Sequence, residues 1–229
     1  MLGVWSFVSH DDDALGATVL ASLAEALSDA GKRVLLFDLS PALPALDIAL
    51  GVEDRVIYTL SDTRSVLPER IFLSPAREGK SNGEENENIL LVPLFPGEEP
   101  CFEAVRRCIE SVKADVVLMR VSLSCLAQAR TVSDGVILLT GASAVSLRAA
   151  AHLAQDGAFD GFVLTDVVSG SMDIQQLITA SDTLSLPLCG ILPRVDTKNT
   201  SSPMGKDFRR AVCRLAARLC GDGAPLTIN

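Results

Sequence analysis

The chain has 229 residues, of which 48% are hydrophobic and 21% charged, so it can form one fairly large domain with a full hydrophobic core. Its formal net charge of −9 argues against nucleic-acid binding, because that affinity comes largely from Lys and Arg side chains that neutralise phosphates. The six cysteines form no C-x-x-C motif and there are only two histidines, which argues against a metal site.

Apolar runs typical of buried strands alternate with amphipathic helical patterns along the chain. In chain order, the patterns predict strands at Leu2–Val8, Arg33–Asp38, Ile89–Val92, Val116–Met119, Val136–Thr140, Gly161–Asp166 and Cys189–Leu192. They predict helices at Ala14–Ala30, Pro44–Leu50, Cys101–Val112, Ala144–Gln155, Asp173–Ser181 and Lys206–Cys220. Strands that are apolar throughout and separated by helices predict an α/β fold, with a doubly wound, mostly parallel sheet and helices on both faces.

We expect a single domain over residues 1–229, interrupted by one polar loop at about residues 78–88, which reads EGKSNGEENEN. Neither a secretory signal nor an apolar run of about 18 residues is recognisable, so we expect a cytoplasmic protein. Ligands of doubly wound folds bind at the carboxyl ends of the strands, and the residues that directly follow each predicted strand are therefore the candidate sites.

The stretch SHDDDALGAT, Ser9–Thr18, lies between the first predicted strand and the first predicted helix, where such folds place a phosphate-binding loop. A working loop uses glycines to bring backbone N–H groups around the phosphates and a lysine to neutralise them. This stretch has three aspartates (Asp11, Asp12 and Asp13), one glycine and no lysine. Its charge is therefore opposite in sign to that of a phosphate site.

Several segments resemble the MinD branch of the MinD/ParA family, the septum-site-determining ATPases with a deviant Walker A loop. The most specific is GKRVLLFDLSPALPALDIALGVEDRVIYTLSD, Gly31–Asp62, which is similar to the family's second strand, first switch and following helix. Weaker similarity continues through Ala114–Met119, Asp134–Ala154 and the segments LPLCGILPRVD and DFRRAVCRLAARLCGDGAPL. The resemblance implies a P-loop NTPase-like fold and, for active members, ATP and Mg²⁺ as cofactors.

The family's functional residues are largely replaced in this chain. Gly16 and Thr18 match the loop, but Ala17 stands at the P-loop lysine, and the signature lysine falls among Asp11–Asp13. Arg120 stands at the Walker B aspartate. Of the two switch aspartates, Asp38 remains and the second is replaced by Ser40.

Like charges about 4 Å apart repel by about 4 kcal/mol at an effective dielectric constant of about 20, so this loop disfavours a triphosphate. We therefore predict no catalytic residue and no bound nucleotide.

Three interpretations of the aspartates remain open. They can cap the N-terminus of the following helix and present an acidic surface, with Ser9 and Thr18 as structural remnants. They can bind a divalent cation, although they lack the spaced oxygen ligands of a calcium loop. Alternatively, Thr18 and Asp38 belong to a rebuilt nucleotide pocket that binds ATP and Mg²⁺.

The exchange of signs between the loop and the Walker B position predicts a specific contact. We expect Arg120 to pair with Asp38 or with one of Asp11, Asp12 and Asp13, because the planar guanidinium can hold a carboxylate. The alternative is that Arg120 extends past Ser122 into solvent.

These features predict a degenerate MinD-like protein that acts as a non-hydrolysing interaction or regulatory factor in cell-division-site placement or polar positioning. An active MinD/ParA-type relative is the candidate partner, docking around Asp11–Asp13 and the first switch, Pro41–Asp47. The alternatives are an active MinD-type ATPase that regulates septum placement and a polar-localisation factor for pilus assembly. The terminal stretch Gly221–Asn229 has no basic or aromatic face, so it does not predict a membrane helix.

Overall fold

Seven parallel strands form one sheet in the computed structural model, which describes residues 3–10, 14–67, 70–75, 86–168, 174–194 and 205–221. The strands are β1 (Gly3–Ser9), β2 (Val34–Leu39), β3 (Ile89–Val92), β4 (Val116–Val121), β5 (Gly135–Gly141), β6 (Gly161–Val167) and β7 (Leu188–Pro193). Their order across the sheet is β3-β2-β4-β1-β5-β6-β7, with every pairing parallel. The predicted parallel α/β sheet is confirmed.

Helices cover both faces of this sheet, as predicted. They are α1 (Ala14–Asp29), α2 (Leu46–Ala49), α3 (Phe102–Ser111), α4 (Leu126–Arg130), α5 (Ala144–Ala154), α6 (Ile174–Leu184) and α7 (Lys206–Leu219). Residues of α1, α2 and α7 share one hydrophobic cluster with the sheet, and residues of α3, α4, α5 and α6 share the other. The strands are buried between two helical layers, which explains why their sequences are apolar throughout.

The structure differs from the predicted elements in two ways that matter for the site. Strand β4 continues to Val121, two residues beyond the predicted end at Met119, so Arg120 lies inside a strand and not in a loop. Helix α4 and a 3-10 turn at Leu60–Arg64 were not predicted, because elements of five residues are too short to show a helical period.

The predicted polar loop lies mostly outside the described residues. Asn86, near its end, is described, and its side-chain oxygen accepts a hydrogen bond from the Ser28 hydroxyl of α1 at 3.0 Å. This end of the loop is therefore attached to the domain, although its composition predicted a wholly solvated segment.

The parallel arrangement brings the carboxyl ends of all seven strands to one edge, which we call the carboxyl edge. The segments that follow β2 and β3 meet there, since the Gly97 N–H donates to the carbonyl oxygen of Pro41 at 2.8 Å. Among the described residues, no helix is both long and apolar enough to cross a membrane.

Candidate functional site

An ion pair between Arg120 and Asp38 lies at the carboxyl edge. The two residues are direct partners in the register of β4 and β2, so their side chains extend from the same face of the sheet. The Arg120 Nη1 lies 2.9 Å from the Asp38 Oδ1, and the side chains are only 5% and 2% exposed. The predicted pairing of Arg120 with Asp38 is confirmed, and the alternative in which Arg120 extends into solvent is wrong.

This pair also binds the segment Pro41–Asp47, which the resemblance predicts to be the first switch. The Asp38 Oδ2 accepts hydrogen bonds from the backbone N–H groups of Ala45 and Leu46 at 2.7 and 2.8 Å. Arg120 Nη1 donates a second bond to the carbonyl oxygen of Leu43 at 2.6 Å. Three backbone groups of the switch are therefore bound by the ion pair, which fixes the segment from within the protein.

Burial has the largest influence on the pKa of Asp38. Burial raises the pKa of Asp38 above its ordinary value, and the Arg120 charge and the hydrogen bonds from Leu46 and Ala45 oppose that increase. The carboxylate thus depends on Arg120 to remain charged in a desolvated place.

The guanidinium also lies against the start of α1. A Cβ atom added at Gly16 would lie 3.6 Å from the Arg120 Nε, an ordinary contact distance. The structure thus brings together Gly16, Asp38 and Arg120 of the predicted site residues.

Ala17, Thr18 and Ser40, the other predicted site residues that are described near the loop, make contacts within the domain. Ala17 and Ser40 are buried, and Ala17 packs in the hydrophobic cluster beneath α1 and α7. The Thr18 carbonyl oxygen accepts a hydrogen bond from the Ser22 hydroxyl at 2.6 Å, inside α1. Asp11, Asp12 and Asp13 lie outside the described residues.

A small cavity remains beside the loop. It has a volume of about 150 Å³, and Ser9, His10, Gly16, Thr140 and Thr165 are among the residues that line it. Gly141, Ser146 and Asp166 line this cavity and also a larger cleft between α5 and α6, so the two spaces adjoin.

Both oxygens of Asp38 have partners, because Oδ1 accepts from Arg120 and Oδ2 accepts from two backbone N–H groups. A rebuilt pocket that used Asp38 and Thr18 would have to share Asp38 with these partners or displace them. Within the described part of the chain, no group of three or more His, Cys, Asp and Glu side chains is placed to hold a metal.

A second Arg–Asp pair lies at the same edge and was not predicted. Arg194, directly after β7, donates from Nε and Nη2 to the two carboxylate oxygens of Asp166 in β6, at 2.7 and 2.6 Å. The pair borders a cleft of about 640 Å³ between α5 and α6. Asp166 has a φ of 58°, in the left-handed region that Asp tolerates better than most residues. Nothing in the local sequence pattern signals this pair, because the two residues are 28 positions apart.

Large apolar side chains are exposed along the same edge. Five of them lie within four residues of the ends of five different strands and are between 37% and 80% exposed: Leu43, Phe95, Leu123, Val145 and Val168. We call this set the apolar rim. It flanks the β1–α1 loop on both sides, because the strands concerned lie on both sides of β1.

Comparison with solved structures shows full-length similarity in fold. MinD cell division protein from Aquifex aeolicus superposes with a TM-score of 0.76 at 20% identity, covering 98% of this chain and 99% of that one. The septum site-determining protein MinD complexed with Mg-ADP, from Pyrococcus horikoshii, gives 0.67 at 20% identity and covers 96% of each chain.

A third structure, cobyrinic acid a,c-diamide synthase from Mycobacterium smegmatis with bound ADP and magnesium, gives a TM-score of 0.70 at 19% identity, over 99% of this chain and 100% of that one. No family model and no curated protein sequence matches the chain. The resemblance read from the sequence is therefore confirmed at the level of architecture: this chain has the fold of the MinD-type proteins.

Proposed function

We propose that the protein is a non-hydrolysing, MinD-like interaction factor that acts in the cytoplasm in cell-division-site placement or polar positioning. The single observation that carries the proposal is the buried Arg120–Asp38 pair. It places a cation at the Walker B position and binds the remaining switch aspartate, both of which the resemblance assigns to nucleotide chemistry.

The same pair supplies what a nucleotide supplies in a switch protein, namely bonds that order the switch segment. In this chain Leu43, Ala45 and Leu46 are bound by Arg120 and Asp38. We infer that the first switch is held in one conformation independently of ATP. A protein with such a switch offers a constant docking surface.

The partner proposed for this surface is an active MinD/ParA-type ATPase. A MinD chain was solved as part of a MinC:MinD cell division complex from Aquifex aeolicus, so this fold supports protein assembly. Here the apolar rim provides exposed area for contact. The three aspartates Asp11–Asp13, which the sequence places between β1 and α1, are the acidic centre of this proposal. A lysine-bearing loop of the partner complements that centre, whereas two acidic loops repel each other, which favours the mixed pair.

Titration calorimetry with Mg-ATP and with Mg-ADP tests the loss of nucleotide binding, with an active MinD under the same conditions as the positive control. We expect no binding tighter than about 1 mM, which corresponds to a binding free energy of only about 4 kcal/mol. A micromolar dissociation constant would overturn the proposal and favour an active ATPase.

A pull-down with an active MinD/ParA-type protein from the same organism tests the partner. Replacement of Asp11, Asp12 and Asp13 with Ser removes the acidic centre and should reduce capture of the partner. The matched control replaces three exposed acids at or near the C-terminal ends of α1, α5 and α6, namely Asp29, Asp156 and Asp182, with Ser and changes the net charge equally. Equal capture by the wild type and by both variants would reject this docking mode.

A further inference from the structure

Four cations form an inclined row along α7, because side chains four residues apart are displaced by about 40° around an α-helix. Lys206, Arg210, Arg214 and Arg218 recur at every fourth residue, which places them on one side of the helix about 6 Å apart along its axis. The first three are exposed and Arg218 is partly exposed. We call these four residues the cation line; it extends over about 18 Å.

Successive members of the cation line repel each other. Each like-charge pair at this spacing destabilises a helix by a few tenths of a kcal/mol, and the line contains three such pairs in succession. Asp207 lies 3.7 Å from Arg210, and Arg218 donates to the carbonyl oxygen of Cys189. One exposed aspartate does not balance four cations, so the helix retains a net positive face in a chain whose net charge is −9.

Helix α3 shows that this arrangement is not a general property of the exposed helices. Its exposed face carries Glu103, Arg106, Arg107 and Glu110. Glu103 with Arg107, and Arg106 with Glu110, form pairs of opposite sign at the same four-residue spacing, so each charge has a complement on its own helix. The exposed face of α3 therefore carries equal numbers of positive and negative charges, whereas the exposed face of α7 carries an excess of positive charge.

We propose that the cation line binds an acidic helix of a partner protein, with carboxylates at every fourth residue. A helix with that pattern presents its charges at the same axial spacing of about 6 Å and in a similarly inclined row, so its carboxylates can be matched to the central cations Arg210 and Arg214. Charged groups farther apart than about 8 Å are screened at physiological salt, so a slender helix on α7 experiences mainly the charges of α7.

The other polyanions fit less well. A nucleic-acid duplex or an anionic membrane is broad, so it extends past α7 to the remaining surface, which carries more negative charge than the chain as a whole. This surface is separate from the one proposed for the active relative, because the cation line runs along α7 and not around the β1–α1 loop.

Two synthetic peptides of about 16 residues test the proposal. One carries four Glu residues at every fourth position, and the other has the same composition with its Glu residues distributed around the helix. Fluorescence anisotropy should show that the aligned peptide binds about tenfold more tightly at low salt. Equal affinity for the two peptides would overturn the proposal, because only net charge would then matter.

Charge reversal locates the site. The variant Arg210→Glu with Arg214→Glu should lose about tenfold or more in affinity for the aligned peptide, whereas Arg106→Glu with Arg107→Glu on α3 makes the same change in net charge and should retain it within about twofold. An Arg210→Gln, Arg214→Gln variant repeats the test without new anions if the reversal variant is misfolded by circular dichroism.

Equal losses in the α7 and α3 variants would contradict the proposal. So would binding of duplex DNA, or of phosphatidylcholine vesicles containing phosphatidylglycerol, that requires Arg210 and Arg214 at physiological salt, because the ligand would then be of another class.

Discussion

Two Arg–Asp pairs bridge neighbouring strands at the carboxyl edge. One pair has the better hydrogen-bond geometry, and the other is more deeply buried. Arg194 and Asp166 have the better hydrogen-bond geometry, a two-pronged contact at 2.7 and 2.6 Å. Arg120 and Asp38 make a single contact at 2.9 Å. The side chains of the first pair are 59% and 43% exposed, whereas those of the second are 5% and 2% exposed.

We expect burial, and not contact geometry, to decide which of the two pairs has the larger effect on stability when its arginine is removed. An exposed ion pair competes with water and salt and contributes little to stability. A buried pair gains little in net terms while intact, but the removal of one partner leaves an uncompensated charge in a desolvated place. The two pairs can therefore be compared within one molecule by removing the arginine of each.

The largest effect should follow from Arg120→Ala. It removes the compensating charge of Asp38 and the donor to the Leu43 carbonyl, so we expect the free energy of unfolding to fall by about 3–5 kcal/mol. Chemical denaturation with a full two-state fit measures this difference. A loss below about 1 kcal/mol would mean that water reaches the Arg120–Asp38 pair and that it contributes no more to stability than the exposed Arg194–Asp166 pair.

A second effect is the pH dependence of that loss. Burial raises the pKa of Asp38, and removal of Arg120 removes an interaction that lowers it, so the pKa in the variant is higher still. As pH falls, Asp38 is protonated at a higher pH in the folded variant than in the folded wild type. Protonation removes the uncompensated buried charge and so stabilises the folded variant. The deficit of Arg120→Ala in the free energy of unfolding should therefore narrow as pH falls from neutral towards the unfolded pKa of Asp, about 3.9. Denaturation of both proteins across this range measures it; a deficit that widens on acidification would contradict the assignment.

The smallest effect should follow from Arg194→Ala. We expect a shift of the denaturant midpoint within experimental error at physiological salt, because both side chains are exposed and screened. The Arg194 hydrogen bonds lower the pKa of Asp166, so the contribution of Asp166 is present above its unfolded pKa and disappears as pH falls through its lower folded pKa. A midpoint shift as large as that of Arg120→Ala would contradict the expectation that the buried pair matters more for stability than the exposed pair.

Most of the sheet could be predicted from the sequence. The seven predicted strands are all present, because strands buried on both faces need apolar residues at every position and such runs are easily recognised. The end of β4 could not be placed, since Arg120 is a charged residue and therefore marked a strand end in the pattern. It continues the strand because Asp38 lies directly opposite it in the register.

The site was only partly predictable. The exchange of charge between the loop and the Walker B position was sufficient to predict the Arg120–Asp38 pair, although 82 residues separate its members. The bonds from this pair to Leu43, Ala45 and Leu46 were not predictable, because they involve backbone groups that carry no sequence signal. The apolar rim was not predicted either, since single exposed apolar residues are unremarkable until a sheet collects them at one edge.

The sequence by itself determined the alternation of strands and helices, the absence of lysine from Ser9–Thr18 and the four-residue spacing of the cation line, because each depends on residue type and local period alone. Tertiary structure decided which charges are buried. Arg120 and Arg194 are the same residue type and both lie near the carboxyl edge, but the central position of β4, between β2 and β1 and beneath α1, removes Arg120 from water. Arg194 follows the edge strand β7 and remains exposed, because no further strand covers that side of the sheet in the part of the chain that is described.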